Sequence, residues 1–193
     1  MLLAGIGCLC AHAEQSVESA LQACVQCHGA KGVSDQSGTP HLNGQLPAYF
    51  SEAMSAFAKG TRPTAVAQHK QLAVEQFAAA AKFYANEKAT PRPKQHIDPA
   101  MVAKGEKIYA NRCMECHPDN GRDSDKDAPY MAGQELEFLV TQTLAFKTGA
   151  RKFAFLMDDA YRGLADDELA AVAHFFAAQD LLAMPTEKKR RRK

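Results

Sequence analysis

The five residues Cys24-Val25-Gln26-Cys27-His28 return 89 positions later as Cys113-Met114-Glu115-Cys116-His117. Other pairs share that offset: Pro40 with Pro129, Gly44-Gln45 with Gly133-Gln134, Phe57 with Phe146, and Gly60 and Arg62 with Gly149 and Arg151. Self-similarity at a fixed period marks a tandem duplication. Each copy closes on an amphipathic helical stripe, Phe77, Ala80, Ala81 and Tyr84 in the first and Leu169, Val172, Ala173 and Phe176 in the second, at i, i+3, i+4 and i+7. These stripes match at an offset of 92, so the first copy lacks three residues between Arg62 and Leu72.

The 193 residues suffice for two small domains. Helical pattern precedes each cysteine pair, over 16–23 and 103–112, and no segment shows sustained strand alternation. The expected fold is all-α, two tandem helical domains. The opening segment, 1–13, is apolar and ends in Ala11-His12-Ala13, which reads as an export signal cleaved before Glu14, although no Lys or Arg precedes its apolar part. The first domain is then 14–85, a Pro-rich and charged linker 86–100, the second domain 101–182, and a basic tail 183–193. No apolar run is long enough to cross a bilayer. Charge is uneven: 14–97 carry 8 basic and 6 acidic residues, 98–187 carry 9 and 16, and Lys188 to Lys193 add six positive charges. Such polarity suits docking of charged redox partners; in an exported protein the short basic run is no sign of nucleic-acid binding.

Two cysteines three apart lie on one side of a helical turn, placed to form thioethers to two edge groups of one porphyrin, and the next histidine is carried over the ring to the iron. This is the attachment signal of c-type haem. A redox dithiol does not need the histidine. A zinc site needs four ligands brought together, whereas each motif sits in its own domain. Two copies therefore predict two covalently bound haem c groups, on Cys24 and Cys27 and on Cys113 and Cys116, with His28 and His117 as iron ligands. The cofactor also supplies core that domains of this size otherwise lack.

The order Cys-x-x-Cys-His, Pro-x-x-x-Gly-Gln, Phe, Gly-x-Arg, Met and closing helix resembles the two-haem class I cytochromes c of the c4 type. The loop Gly121-Arg122-Asp123-Ser124-Asp125 with Ala132-Gly133-Gln134 is especially similar to the haem subunit of flavocytochrome c sulfide dehydrogenase. The resemblance covers about 16–182. It implies class I cytochrome c domains with a histidine on one face of each iron and usually a methionine on the other. It also implies that Pro40 and Pro129 offer a carbonyl to the proximal ring, against simple loop stiffening as the plainer role.

Met157, just ahead of the closing helix, is the expected second ligand in the second domain, and a thioether raises the potential. Met131 matches Leu42 and reads as core, as does Met54. The counterpart of Met157 falls within Ala65, Val66, Ala67 and Gln68, none of which is methionine, and the next residue is His69. Three readings stand there: His69 as a second imidazole ligand, which lowers the potential relative to a thioether; a half-exposed histidine at a helix entry; or five-coordinate iron open to a gas or an anion. Arg62 and Arg151 suit haem propionates or are plain surface groups. His41 is expected as a solvated loop residue, and His96 and His174 at the surface.

The expected function is periplasmic electron transfer. The chain serves as a free carrier or as the haem subunit of a flavoprotein dehydrogenase acting on reduced sulfur, with a terminal oxidase as another partner. Unequal distal ligands would make two unequal potentials, the first domain lower. The alternative is a haem enzyme or gas-binding protein using an open site on the first haem.

Overall fold

The computed structural model describes residues 9–125, 128–153 and 157–183, without the side chains of 9–17. Among them it forms nine helical segments in order: α1 Leu9–His28, α2 Pro47–Ala58, α3 Gln68–Gln71, α4 Val74–Asn86, α5 Pro99–Arg112, α6 Pro118–Gly121, α7 Leu136–Lys147, α8 Met157–Tyr161 and α9 Asp166–Ala177. No described residue lies in a strand, and none of these helices is long and apolar enough to cross a membrane. The expected export signal and basic tail fall largely outside the described residues; Leu9 onward is already within α1.

Local chemistry explains where the helices start. Pro47 and Pro99 open α2 and α5, where a missing N–H costs nothing. Asp98 accepts from Ala100 N–H at 2.8 Å and Glu135 from Phe138 N–H at 2.6 Å, each satisfying a donor that a helix start leaves free. The two closing helices are held alike: Gln76 accepts from Ala73 N–H and Glu168 from Ala165 N–H, both at 2.8 Å. Asp166, Asp167 and Glu168 complement the positive end of α9.

Two cores result. Phe50, Met54, Phe77, Ala80, Ala81 and Tyr84 form the first, from α2 and α4. Tyr109, Leu139, Val172, Ala173, Phe175, Phe176 and Ala177 form the second, from α5, α7 and α9. Met54 and Met131 belong with these cores, as expected. The duplication is visible bond by bond. Leu42 N–H donates to Gly32 C=O at 2.7 Å and Met131 N–H to Gly121 C=O at 2.8 Å; Gly44 N–H donates to Tyr84 C=O and Gly133 N–H to Phe176 C=O, both at 2.9 Å. The first pair of bonds keeps the offset of 89 at both ends, whereas the second joins positions offset by 89 to positions offset by 92. The deletion therefore lies between Gly44 and Tyr84, in agreement with the sequence.

The halves meet in a reciprocal seam. Gln134 bonds both backbone groups of His41, and Gln45 bonds both backbone groups of Tyr130. The linker is not a free spacer. Asn43 Nδ2 donates to Lys88 C=O at 3.0 Å, and Gln95 donates to Gln134 C=O at 3.1 Å and accepts from Leu136 N–H at 2.6 Å. Its prolines remove donors and leave a semi-rigid strap stitched to both domains.

Candidate haem sites

The proximal geometry is the same in both halves. His28 Nδ1–H donates to Pro40 C=O at 2.9 Å and His117 Nδ1–H to Pro129 C=O at 3.0 Å. A carbonyl only accepts, so Nδ1 carries the hydrogen and Nε2 keeps its lone pair. Burial lowers both pKa values, opposed by the bond to the proline carbonyl. Each ring is thus a neutral imidazole fixed in orientation, the state in which histidine binds a metal.

The four cysteines are free thiols beside these rings. Burial raises the Cys24 thiol, and pushes Cys113 up to about 12. A redox dithiol works through a thiolate with a lowered pKa, so the thiol chemistry runs against that reading. Among the described residues no cluster of three or more His, Cys, Asp or Glu side chains has the arrangement of a metal site.

On the distal side the halves part. In the first, α3 presents His69 to His28, with ring centroids 6.2 Å apart and planes 31° from parallel. Phe57 stacks on His69 at 4.8 Å, and Thr64 Oγ1 lies 3.0 Å from its Nδ1. Two imidazole nitrogens each about 2 Å from a shared metal, with ring centres roughly 1 Å further out, stand ~6 Å apart centre to centre. The observed spacing fits one metal between them. Burial, then His28 and Arg62, hold the His69 pKa down at about 4, so its ring is neutral too. Of the three readings open from the sequence, α3 gives His69 the half-exposed helix-entry position and at the same time turns its ring toward His28. Thr64, five residues earlier, is not singled out by the sequence; a hydroxyl in the loop just ahead of a candidate ligand is the signal that finds it.

In the second half Met157 opens α8, half-buried, ahead of α9. Phe146, Phe153 and Tyr161 cluster around the same stretch, with centroids 5.0 to 6.0 Å apart.

The repeated arginines are not surface groups. Arg62 is buried, its guanidinium 4.5 Å from the centre of Phe57 and 5.9 Å from that of Phe138 in the other half. Arg151 lies 4.2 Å over Phe146 and reaches Tyr49 Oη in the first half at 3.3 Å. Both donate to Gln142 Oε1, at 3.0 and 2.8 Å. Burial lowers the Arg62 pKa to about 10, and Tyr49, which burial alone would raise, is held low by Arg151 and Arg62. Arg62 Nε is buried without a partner among the described residues, a donor that a haem carboxylate would satisfy. Together with the facing imidazoles and paired thiols, the residues fit a covalently held porphyrin.

His41 also departs from expectation. It is 3% exposed rather than solvated. Its Nδ1 accepts from Ser34 N–H at 3.1 Å, and its backbone is held by Gln134. Burial, then Arg92, then His28 lower its pKa to about 4. The physical reason is the seam: the second domain covers the loop that the sequence leaves open to water. His96 is exposed as expected, whereas His174 is half-buried and accepts from Asp98 N–H at 3.3 Å.

Residues 102–179 match the model of the cytochrome c family. The chain is 29% identical over 171 residues to a thiosulfate dehydrogenase electron acceptor of Thiomonas intermedia, covering 82% of this chain and 79% of that one. It is 28% identical over 148 residues to cytochrome c4 of Azotobacter vinelandii, covering 66% and 69%. The solved cytochrome c4 of Pseudomonas stutzeri superposes with a TM-score of 0.71 at 22% identity, over 87% of this chain and 98% of that one. A thiosulfate dehydrogenase of Marichromatium purpuratum gives 0.71 at 28% identity, over 82% of this chain and 36% of its own. The helical fold, repeated proximal geometry and paired thiols are those of a class I cytochrome c, a family that binds haem c covalently and carries electrons. Within that class the chain is similar to the c4-type cytochromes.

Proposed function

We propose that this cytochrome holds two haems with unlike distal ligands and accepts electrons, in the periplasm, from a thiosulfate dehydrogenase. When bound, haem supplies one-electron redox chemistry. What the chain adds is asymmetry. The observation that carries this reading is the His28–His69 pair at 6.2 Å. Thr64 occupies His69 Nδ1 and leaves Nε2 as the ring nitrogen for a metal, so the first domain offers two imidazoles. The second offers His117 and Met157. Imidazole in place of thioether stabilises ferric iron, so the first domain has the lower potential. His69 also closes the distal side that an enzymatic or gas-binding reading needs open.

The partner is supported by two relatives, from Thiomonas intermedia and Stutzerimonas stutzeri, each named a thiosulfate dehydrogenase electron acceptor. It stands beside the free carrier and the flavoprotein subunit expected from the sequence, and shares with the latter a substrate class, reduced sulfur. The Ala11-His12-Ala13 pattern supports export.

Absorption and paramagnetic-resonance spectra of the oxidised protein test the ligand set. One low-spin centre with two nitrogen ligands and one with a methionine-to-iron charge-transfer band are expected. Methionine bands from both haems, or a high-spin signal abolished by cyanide, would overturn it. Reduction by a thiosulfate dehydrogenase given thiosulfate tests the partner.

A further inference from the structure

Building on the two-haem reading, we infer that Gln134 and Gln45 each set the reduction potential of the haem in the opposite domain, acting through a single peptide group. The peptide joining Pro40 to His41 has both polar atoms engaged. Its C=O accepts from His28 Nδ1–H at 2.9 Å, and its N–H donates to Gln134 Oε1 at 2.7 Å. The peptide joining Pro129 to Tyr130 repeats this. Its C=O accepts from His117 Nδ1–H at 3.0 Å, and its N–H donates to Gln45 Oε1 at 3.0 Å. Each bond crosses the seam, so a residue of one domain completes the ligand support of the other.

The amides are not free to turn. Gln134 Nε2 donates to His41 C=O at 2.9 Å and Gln45 Nε2 to Tyr130 C=O at 3.0 Å. Only one orientation of each side chain satisfies both bonds, since N–H must meet oxygen and C=O must meet nitrogen. Both glutamines are buried, where a hydrogen bond is electrostatically stronger than in water.

The direction of the effect follows from bond cooperativity. Drawing on the peptide N–H polarises the same amide and makes its C=O a better acceptor. A better acceptor for Nδ1–H makes the imidazole more basic, and a more basic ligand favours ferric iron and a lower potential. Gln134 and Gln45 are positioning residues: neither reaches the iron, and each acts through a peptide on a ligand. A redox partner that loosened the seam would raise both potentials together.

Gln134→Leu removes the link to His28, and Gln45→Leu the link to His117. Spectroelectrochemical titration of each haem-loaded variant is expected to show a crossed pattern. Gln134→Leu raises the first domain's midpoint and leaves the second's in place, and Gln45→Leu does the reverse. A loosened seam with no such wiring would shift both midpoints in each variant, and no shift, or a shift in the mutated domain alone, would equally overturn the inference. If either leucine variant fails to fold, Gln134→Glu keeps an oxygen for the His41 N–H. The first midpoint is then expected at or below its wild-type value, and a rise there refutes the wiring. The haems are told apart by the paramagnetic-resonance signal that His69→Ala alters, because His69 faces His28 whether or not it binds iron. A failed ligand assignment and a failed cross-domain link are therefore separate results.

Discussion

The two domains share their proximal side and differ on the distal side and in the core. His28 and His117 meet the same proline carbonyl at nearly the same distance. Around that constant, the first domain places Ala20 where the second has Tyr109, and Tyr84 where the second has Phe176. In the second domain Tyr109 stacks on Phe175 at 4.6 Å, meets Phe176 edge-on at 5.5 Å, and its Oη bridges His117 C=O and Asn120 N–H at 3.0 and 2.8 Å. The first domain has no such girder, and Tyr84 Oη is buried without a partner among the described residues. The lesson is a division of labour. The proximal scaffold is what holding a haem requires, while the distal loop and the core are free to set potential and stability separately for each domain.

The largest break in that comparison is loss of the shared element. Cys24→Ala, Cys27→Ala, Cys113→Ala and Cys116→Ala together remove both attachment points. The expected outcome is a chain without a cooperative melt, because the cores that remain are too small to offset the conformational entropy of folding. Circular dichroism checks it, and a native-like transition would show that the helices stand without the cofactor. In the intact protein the first domain, with its thinner core, is expected to melt first.

Much of this is legible in the sequence. The motifs Cys-x-x-Cys-His and the stripes ending at Tyr84 and Phe176 are local, so short-range periodicity revealed them, and the deletion followed from two offsets in one chain. The seam was not legible. Gln45 with Tyr130 and Gln134 with His41 are contacts between residues 85 and 93 positions apart, and nothing within a few residues of either glutamine announces its partner. The same blindness put His41 in solvent and left Arg62 and Arg151 open between haem propionates and the surface. A loop residue and an arginine after a Gly turn look exposed until a second domain is laid over them. His69 was half legible: the missing methionine showed that something must differ, but only the turn of α3 brings the ring opposite His28.

The seam itself distinguishes the halves in acid, because His41 stands where the repeat has Tyr130. An unfolded His41 titrates near 6.5, whereas the folded residue is held at about 4 by burial first, then Arg92 and His28. Above 6.5 the ring is neutral in both states and stability is complete. As pH falls from 6.5 toward 4 the unfolded chain takes the proton first, so stability declines, by up to ~3 kcal/mol once pH is below both values. His41→Tyr, which borrows the second domain's residue, should flatten the fall of Tm between pH 7 and 4. Parallel curves for variant and wild type would show that the ring titrates freely.

The smallest effect concerns the close approach of α5 to α9, for which the sequence offers only an isolated glycine in a helical pattern. A Cβ on Gly105 would lie 2.0 Å from Ala171 C=O oxygen and 2.9 Å from Phe175 Cβ. The first of these is backbone and cannot turn aside. At the matching position the first domain carries Ser16 rather than glycine. Alanine is the better helix former by about 1 kcal/mol, and on propensity alone Gly105→Ala would stabilise. Overpacking opposes it by about 1–3 kcal/mol, and because the clash is with a main-chain oxygen the steric side prevails. The variant is expected to lower the melting temperature of the second domain by a few degrees and leave that of the first unchanged. A second-domain transition at or above the wild-type temperature would mean that α5 and α9 can part without cost, and that the tight crossing is a consequence of the glycine rather than a requirement of the fold.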